Sequence, residues 1–166
     1  VSESNKQLSD ETIETIALAA LKFNDLMHDV RSDYIFDPNA VTSFEGRTGP
    51  YILYTAVRLN SVLKRANEAG DATYMPMTID ERNLLIGIMD FERIVHTAFD
   101  NRATDLVANY AYDLCQLINT FYHNCPILRD DIDAKTRAGR LHIAKVARDT
   151  LAMTIDLMGL KIPSEM

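Results

Sequence analysis

The sequence predicts an all-α helical bundle, on three observations. Apolar residues recur at three- and four-residue spacing in five segments. Several segments open on a capping signal and close on Gly or Pro, and no period-two alternation long enough for a strand interrupts them. The 166 residues fit one domain, 1–166, because a chain of this size buries about 68–70% of its unfolded surface on folding.

The first helix is expected within LSDETIETIALAALKFNDLMHD, with Ser9 at the N-cap and Asp10 and Glu11 in the first turn. Its expected core stripe is Ile13, Ile16, Ala17, Ala20, Leu21 and Met27. A loop follows, marked by Asp37-Pro38-Asn39 and by Gly46 and Gly49. Pro50 suits the first turn of a second helix running to about Glu68, before Gly70, with Ile52, Ala56, Leu59 and Leu63 inward. Thr78 and Glu81 form a capping box that opens a third helical stretch, burying Leu84, Ile88, Phe91, Val95 and Ala98. A fourth helix is expected from about Arg102 to Tyr122, with Val107, Tyr110, Leu114, Leu117, Ile118 and Phe121 inward, ending before Pro126. The last runs from about Asp133 to Met158, where Gly159 suits the C′ position and Pro163 lies beyond.

Composition narrows the function. No run of about 18 apolar residues occurs, which excludes a membrane-spanning helix. The chain opens on Val1 without a basic or apolar leader, as a piece of something longer would. Only Cys115 and Cys125 are present, with no CxxC and no zinc-ligand spacing, so a reducing cytoplasm is the expectation. The net charge of −7 weighs at first against nucleic acid. Its distribution weighs the other way: residues 46–66 hold Arg47, Arg58, Lys64 and Arg65 without an acid, and 134–166 hold Arg137, Arg140, Lys145 and Arg148.

Catalytic constellations are absent: no GxSxG, no P-loop, no GxGxxG after a strand and no HExxH. Asp25 and His28 resemble one arm of a helical-bundle metal site, but no second arm exists, so no metal is expected. His96, His123 and His142 stand apart from any nucleophile in the sequence. A stronger pattern lies on the second helix, where Tyr51, Tyr54, Arg58 and Arg65 fall within an arc of roughly 60°. Tyrosine rings and guanidinium groups suit a single-stranded loop with splayed bases. The same pattern also fits a packed flank, with the tyrosines hydrogen-bonded across the bundle and the arginines paired to acids of the first helix. On the last helix Arg137, Arg140, Lys145 and Arg148 share an arc of roughly 140° with Leu141, Ala144 and Ile155, a weaker pattern.

Three stretches carry a resemblance: Ala20-Leu21-Lys22-Phe23-Asn24-Asp25-Leu26, Arg31-Ser32-Asp33-Tyr34-Ile35-Phe36-Asp37, and Ser43-Phe44-Glu45-Gly46-Arg47-Thr48-Gly49-Pro50-Tyr51. With Asn109 to Leu114, Phe121 to Pro126, Arg140-Leu141 and Gly159 to Met166, their order and spacing resemble the C-terminal region of arginyl-tRNA synthetases. The resemblance implies a helical anticodon-binding domain of the DALR type, although the four-letter run behind that name is missing. Ile52-Leu53 also replaces the Leu-Gln common in this helix, and Thr55-Ala56-Val57 precedes Arg58 where Ala-His-Ala is frequent.

It further implies tRNA(Arg) as partner, recognised at a central anticodon cytosine by Tyr51, Tyr54, Arg58, Tyr122 and Met166; the basic patterns on the second and last helices, apart from the resemblance, put Arg65, Arg140 and Lys145 toward the RNA backbone. The ATP- and Mg-dependent ligation belongs to an upstream domain with HIGH-type and KMSKS-type motifs, neither of which is in this chain. The chain itself is therefore expected to need no cofactor, and to bind neither membrane nor DNA. Residues 1–48, including Arg31, Asp33, Tyr34 and Asp37, are expected at the junction to the catalytic domain. The alternative is a helical protein-interaction module docking through the Arg31–Thr48 loop.

Overall fold

The computed structural model describes residues 8–67 and 70–166. Over these residues the chain forms seven helices and no strand: α1 (Asp10–Leu26), α2 (Pro38–Val41), α3 (Gly49–Ala66), α4 (Ile79–Met89), α5 (Phe91–Asn101), α6 (Thr104–Asn124) and α7 (Ala134–Leu157). The all-α expectation is borne out. Helix α3 is central and packs on α1, α6 and α7, while α4 bridges α6 and α7, and α5 lies along α6. Phe23, Ile52, Leu53, Leu59, Leu84, Leu114, Ile118, Phe121, Leu151 and Ile155 fill the shared core. Each large apolar side chain so buried stabilises the fold by about 1.5–3 kcal/mol.

Local signals place most ends correctly. Ser9, Thr48, Thr78 and Asp133 accept N-terminal backbone N–H groups, and the Thr78–Glu81 capping box is complete. Gly159 adopts φ 66° and donates to the carbonyl of Asp156, while Leu160 N–H reaches Ile155. Asn67, at φ 46°, ends α3 with an N–H bond to Leu63. The expected end at Glu68 lies outside the described residues.

Four expectations are corrected. The stretch expected as an unbroken loop contains α2, with Asp37 accepting from the N–H groups of Asn39 and Ala40. The third helix breaks at Asp90 into α4 and α5. There the hydroxyl of Tyr110 donates to the Gly87 carbonyl at 2.9 Å, the acceptor that a helix continuing through Asp90 would give to Phe91 N–H. Arg102 does not open the fourth helix; it is the left-handed C-cap of α5, at φ 52°. Lastly, α1 turns Thr12, Ala19, Ala20 and Phe23 inward, leaving Ile13, Leu18 and Leu21 about half exposed. Of the expected stripe, Ala20 is buried and Ile16 and Met27 are half-buried, so the inward face is rotated from the expected one and shares part of it.

A buried ion pair ties α4 to α7. The Glu81 carboxylate is fully buried and accepts from Arg140 Nε at 2.7 Å, from the N–H groups of Met77 and Thr78, and from Tyr74. Arg140 Nη1 also donates to the carbonyl of Pro126 at 2.9 Å, fixing the turn that follows α6. Burial alone would raise the Glu81 carboxyl; the Arg140 guanidinium and the two N–H groups outweigh it and hold the pKa below the ordinary value.

Candidate nucleic-acid interface

Helices α3 and α6 run parallel, since contacts pair residue 47 with 109 and 112, 51 with 116 and 119, and 58 with 119 and 122. Along this seam the aromatic and cationic side chains assemble. Arg58 Cζ lies 4.5 Å from the ring centroid of Tyr54 and 5.3 Å from that of Tyr122, so two tyrosines from different helices flank one guanidinium. Its Nη1 donates to Asn119 Oδ1 at 2.9 Å. Tyr54 and Tyr122 are 38% and 41% exposed, so their rings are not interred in the bundle.

The next turn of the seam is polar. Tyr51 is half-buried, and its hydroxyl accepts from Asn119 Nδ2 at 2.8 Å and from Gln116 Nε2 at 3.0 Å. Burial pushes its phenol above the ordinary tyrosine pKa, which keeps it protonated. Asn119 Nδ2 also reaches Thr55 Oγ1 at 3.3 Å. Further along, the Tyr51 and Tyr112 rings lie 5.7 Å apart, and Arg47 sits 5.0 Å over Tyr112 while donating to Asn109. Beyond Tyr122 the surface opens into a groove of about 360 Å³ lined by Val62, Tyr122, His123, Pro126, Leu128 and Arg129.

The chain matches the model of the DALR anticodon binding domain over residues 52–166. It belongs to that family. An arginine–tRNA ligase from Maricaulis maris is 40% identical over 154 residues, covering 91% of this chain and 26% of the relative. One from Alkaliphilus oremlandii is 34% identical over 161 residues, covering 95% and 27%. The solved arginyl-tRNA synthetase of Thermus thermophilus superposes with a TM-score of 0.90 at 31% identity, over 99% of this chain and 29% of that one. The chain thus spans about a quarter of the length of the curated relatives it matches.

Within this DALR domain, Tyr51, Tyr54, Arg58 and Tyr122 come together as one cluster. Met166 packs half-buried against the hydrophobic core and is not among the residues whose contacts unite that cluster. Arg65 and Lys145 are exposed. Arg140 is corrected: its side chain is only 12% exposed and committed to Glu81, so it holds the bundle instead of facing a backbone phosphate. The other two arginines of α7 are also engaged, Arg148 with Asp149 and Asn60, and Arg137 with the Arg129 carbonyl.

The arginines of the last helix are thus held by protein partners, and α7 packs on α3. Helix α6 provides the second side of the aromatic seam. The packed-flank reading of the Tyr/Arg stripe holds in part: Tyr51 hydrogen-bonds across the bundle, but Arg58 pairs with an amide of α6 and not with an acid of α1. Asn119 and Gln116 escaped sequence reasoning, because a lone amide on an amphipathic helix has no signature. Their only hint was a pair of polar positions three and six residues before Tyr122.

Asp25 and His28 are occupied by Tyr34. Its hydroxyl donates to Asp25 at 3.2 Å, and its ring stacks on His28 with centroids 4.3 Å apart. Among the described residues no group of three or more His, Cys, Asp or Glu side chains is placed to hold a metal.

Proposed function

We propose that this chain is the anticodon-reading part of an arginine–tRNA ligase, a cytoplasmic enzyme of translation. Its partners in this reading are tRNA(Arg) and the catalytic domain of the same polypeptide. ATP and Mg serve the ligation in that other domain; residues 1–166 supply recognition as a single domain and need no cofactor.

The observation that carries the proposal is the flanking of Arg58 by Tyr54 and Tyr122 on the partly exposed α3–α6 seam. Tyrosine faces give bases a stacking platform worth about 1–3 kcal/mol each. The guanidinium, already stacked and hydrogen-bonded, adds donors for a base edge or a phosphate. Residues 8–48 have a different task. Ile13, Leu18 and Leu21 of α1, and Ile35, Phe36 and Phe44 of the following segment, are exposed apolar side chains suited to the junction with the catalytic domain. That assignment uses the surface on which a free-standing interaction module would rely, and the relatives are ligases.

The test is a binding titration at fixed salt with a tRNA(Arg) transcript and with one altered at the central anticodon base. Tighter binding of the unaltered transcript is expected, reduced by Arg58→Ala and by Tyr122→Ala. Equal affinity for both transcripts, with no effect of either substitution, would overturn the proposal.

A further inference from the structure

The polarity of the α3–α6 seam can be worked out atom by atom, starting from the guanidinium. An arginine side chain has N–H donors and no acceptor, so the Asn119 atom that meets Arg58 Nη1 at 2.9 Å must be the amide oxygen. The Asn119 NH₂ group is thereby turned toward α3, where it donates to the Tyr51 hydroxyl at 2.8 Å and to Thr55 Oγ1 at 3.3 Å. Thr55 in turn passes its own proton to the Tyr51 carbonyl at 3.0 Å. With a second amide N–H arriving from Gln116 at 3.0 Å, both lone pairs of the Tyr51 phenol oxygen are taken. Its proton has no inward acceptor among these partners and is directed outward. Burial reinforces this by keeping the phenol protonated.

Resting on the reading that an unpaired nucleotide occupies this seam, we infer that Asn119, assisted by Gln116, is a specificity-setting positioning residue. It orients Arg58 and Tyr51 so that each presents a hydrogen-bond donor to the base. Donors at these two positions match N3 and O2 of cytosine, both acceptors, and the exposed Gln116 Oε1 is left to accept from its N4 amine, whereas N3 of uracil carries a proton and would meet donor with donor. A site whose buried partners are left unmatched in this way discriminates strongly.

The experiment measures dissociation constants of the unsubstituted chain, Asn119→Ala and Asn119→Asp, at one salt concentration. The two ligands are tRNA(Arg) transcripts with cytosine or uracil at the central anticodon position. The unsubstituted chain is expected to favour cytosine. Asn119→Ala should lower that preference by about tenfold, the scale of one lost base-edge pair, with unchanged helical circular dichroism.

Asn119→Asp is the decisive variant, because it has nearly the same shape and keeps an oxygen for Arg58. The new carboxylate has no N–H for Tyr51 and instead draws the phenol proton inward, leaving an oxygen acceptor outward. Its cytosine preference should fall or reverse. A merely structural Asn119 would leave the preference unmoved in the aspartate variant, and that result overturns the inference. Failure of the underlying reading is separable, because it appears as absent preference in the unsubstituted chain.

Discussion

Arg140→Ala separates a structural role from an RNA-binding one. The substitution leaves the Glu81 carboxylate, fully buried, without its guanidinium partner. Removing one member of a buried pair costs about 3–5 kcal/mol. Glu81 keeps the N–H groups of Met77 and Thr78 and the Tyr74 hydroxyl, which places the loss near the lower end, about 3 kcal/mol. In a domain of this size 1 kcal/mol moves the midpoint by about 2–4 °C, so a fall in Tm of roughly 6–12 °C is expected by thermal circular dichroism. Below that transition the salt dependence of tRNA binding should be unchanged, since no phosphate contact is lost. Arg65→Ala and Lys145→Ala, at exposed positions, should show the opposite pattern if they meet phosphates. In that case Tm stays constant while the slope of log K against log salt falls by about 0.7–0.9. An Arg140→Ala variant with unaltered Tm and a reduced slope would refute the structural assignment.

Tyr54→Ala and Tyr122→Ala, at rings 38% and 41% exposed, should each weaken tRNA binding by about 1–3 kcal/mol while shifting Tm little; equal affinity in both variants would remove the stacking argument. Stability should decline in acid: Glu81 has a pKa held below its unfolded value of 4.5, so its contribution is complete above that value and is lost as pH falls through the folded one. Without Arg140 the Glu81 carboxyl loses the guanidinium that lowers its pKa, which therefore rises relative to the unsubstituted chain, so Tm between pH 5 and 3 should fall less steeply in Arg140→Ala; parallel acid limbs would contradict this. Gly49→Ala should destabilise severely, because a Cβ there would collide with the backbone carbonyl of Ala19 where α1 crosses α3, and a Tm within about 2 °C of the unsubstituted chain would show that the crossing can relax.

Elements governed by local chemistry could be read from the sequence. The Ser9, Thr78 and Asp133 caps and the Gly159 terminus depend on side chains reaching backbone groups a few residues away, and they fall where the sequence places them. Choices made by tertiary contact could not. The break at Asp90 depends on a hydroxyl arriving from Tyr110, twenty residues later, and the inward face of α1 depends on what α3 presents to it. The outward-lying Ile13, Leu18 and Leu21 look like core to any periodicity argument, because an apolar stripe does not say whether its cover belongs to this domain.

The site divides along the same line. Tyr51, Tyr54 and Arg58 share one helical arc and were legible. Tyr122 entered only through the family resemblance, and Asn119 and Gln116 not at all, since their meaning arises from parallel packing of α3 on α6. Arg140 was misread because a basic residue on an amphipathic helix looks alike whether it meets solvent or a buried acid.

An acidic chain with net charge −7 is an unpromising phosphate binder, and on the proposed reading selectivity has to come from the seam. A free arginine side chain carries about 2 kcal/mol of rotamer entropy. Arg58 has surrendered much of that on folding, stacked on Tyr54 and Tyr122 and bonded to Asn119, so less remains to be lost when a nucleotide arrives. All of these groups stand on helices α3 and α6, whose spacing is held by a continuous core through Leu53, Leu114 and Ile118, and not on loops. Low net attraction for phosphate weakens binding to every RNA alike, whereas preorganised donors and ring faces strengthen binding only to a nucleotide that matches them. On the proposed reading, the negative charge therefore lowers the absolute affinity of this domain alone and leaves the ratio of specific to non-specific affinity to the donors and ring faces of the seam.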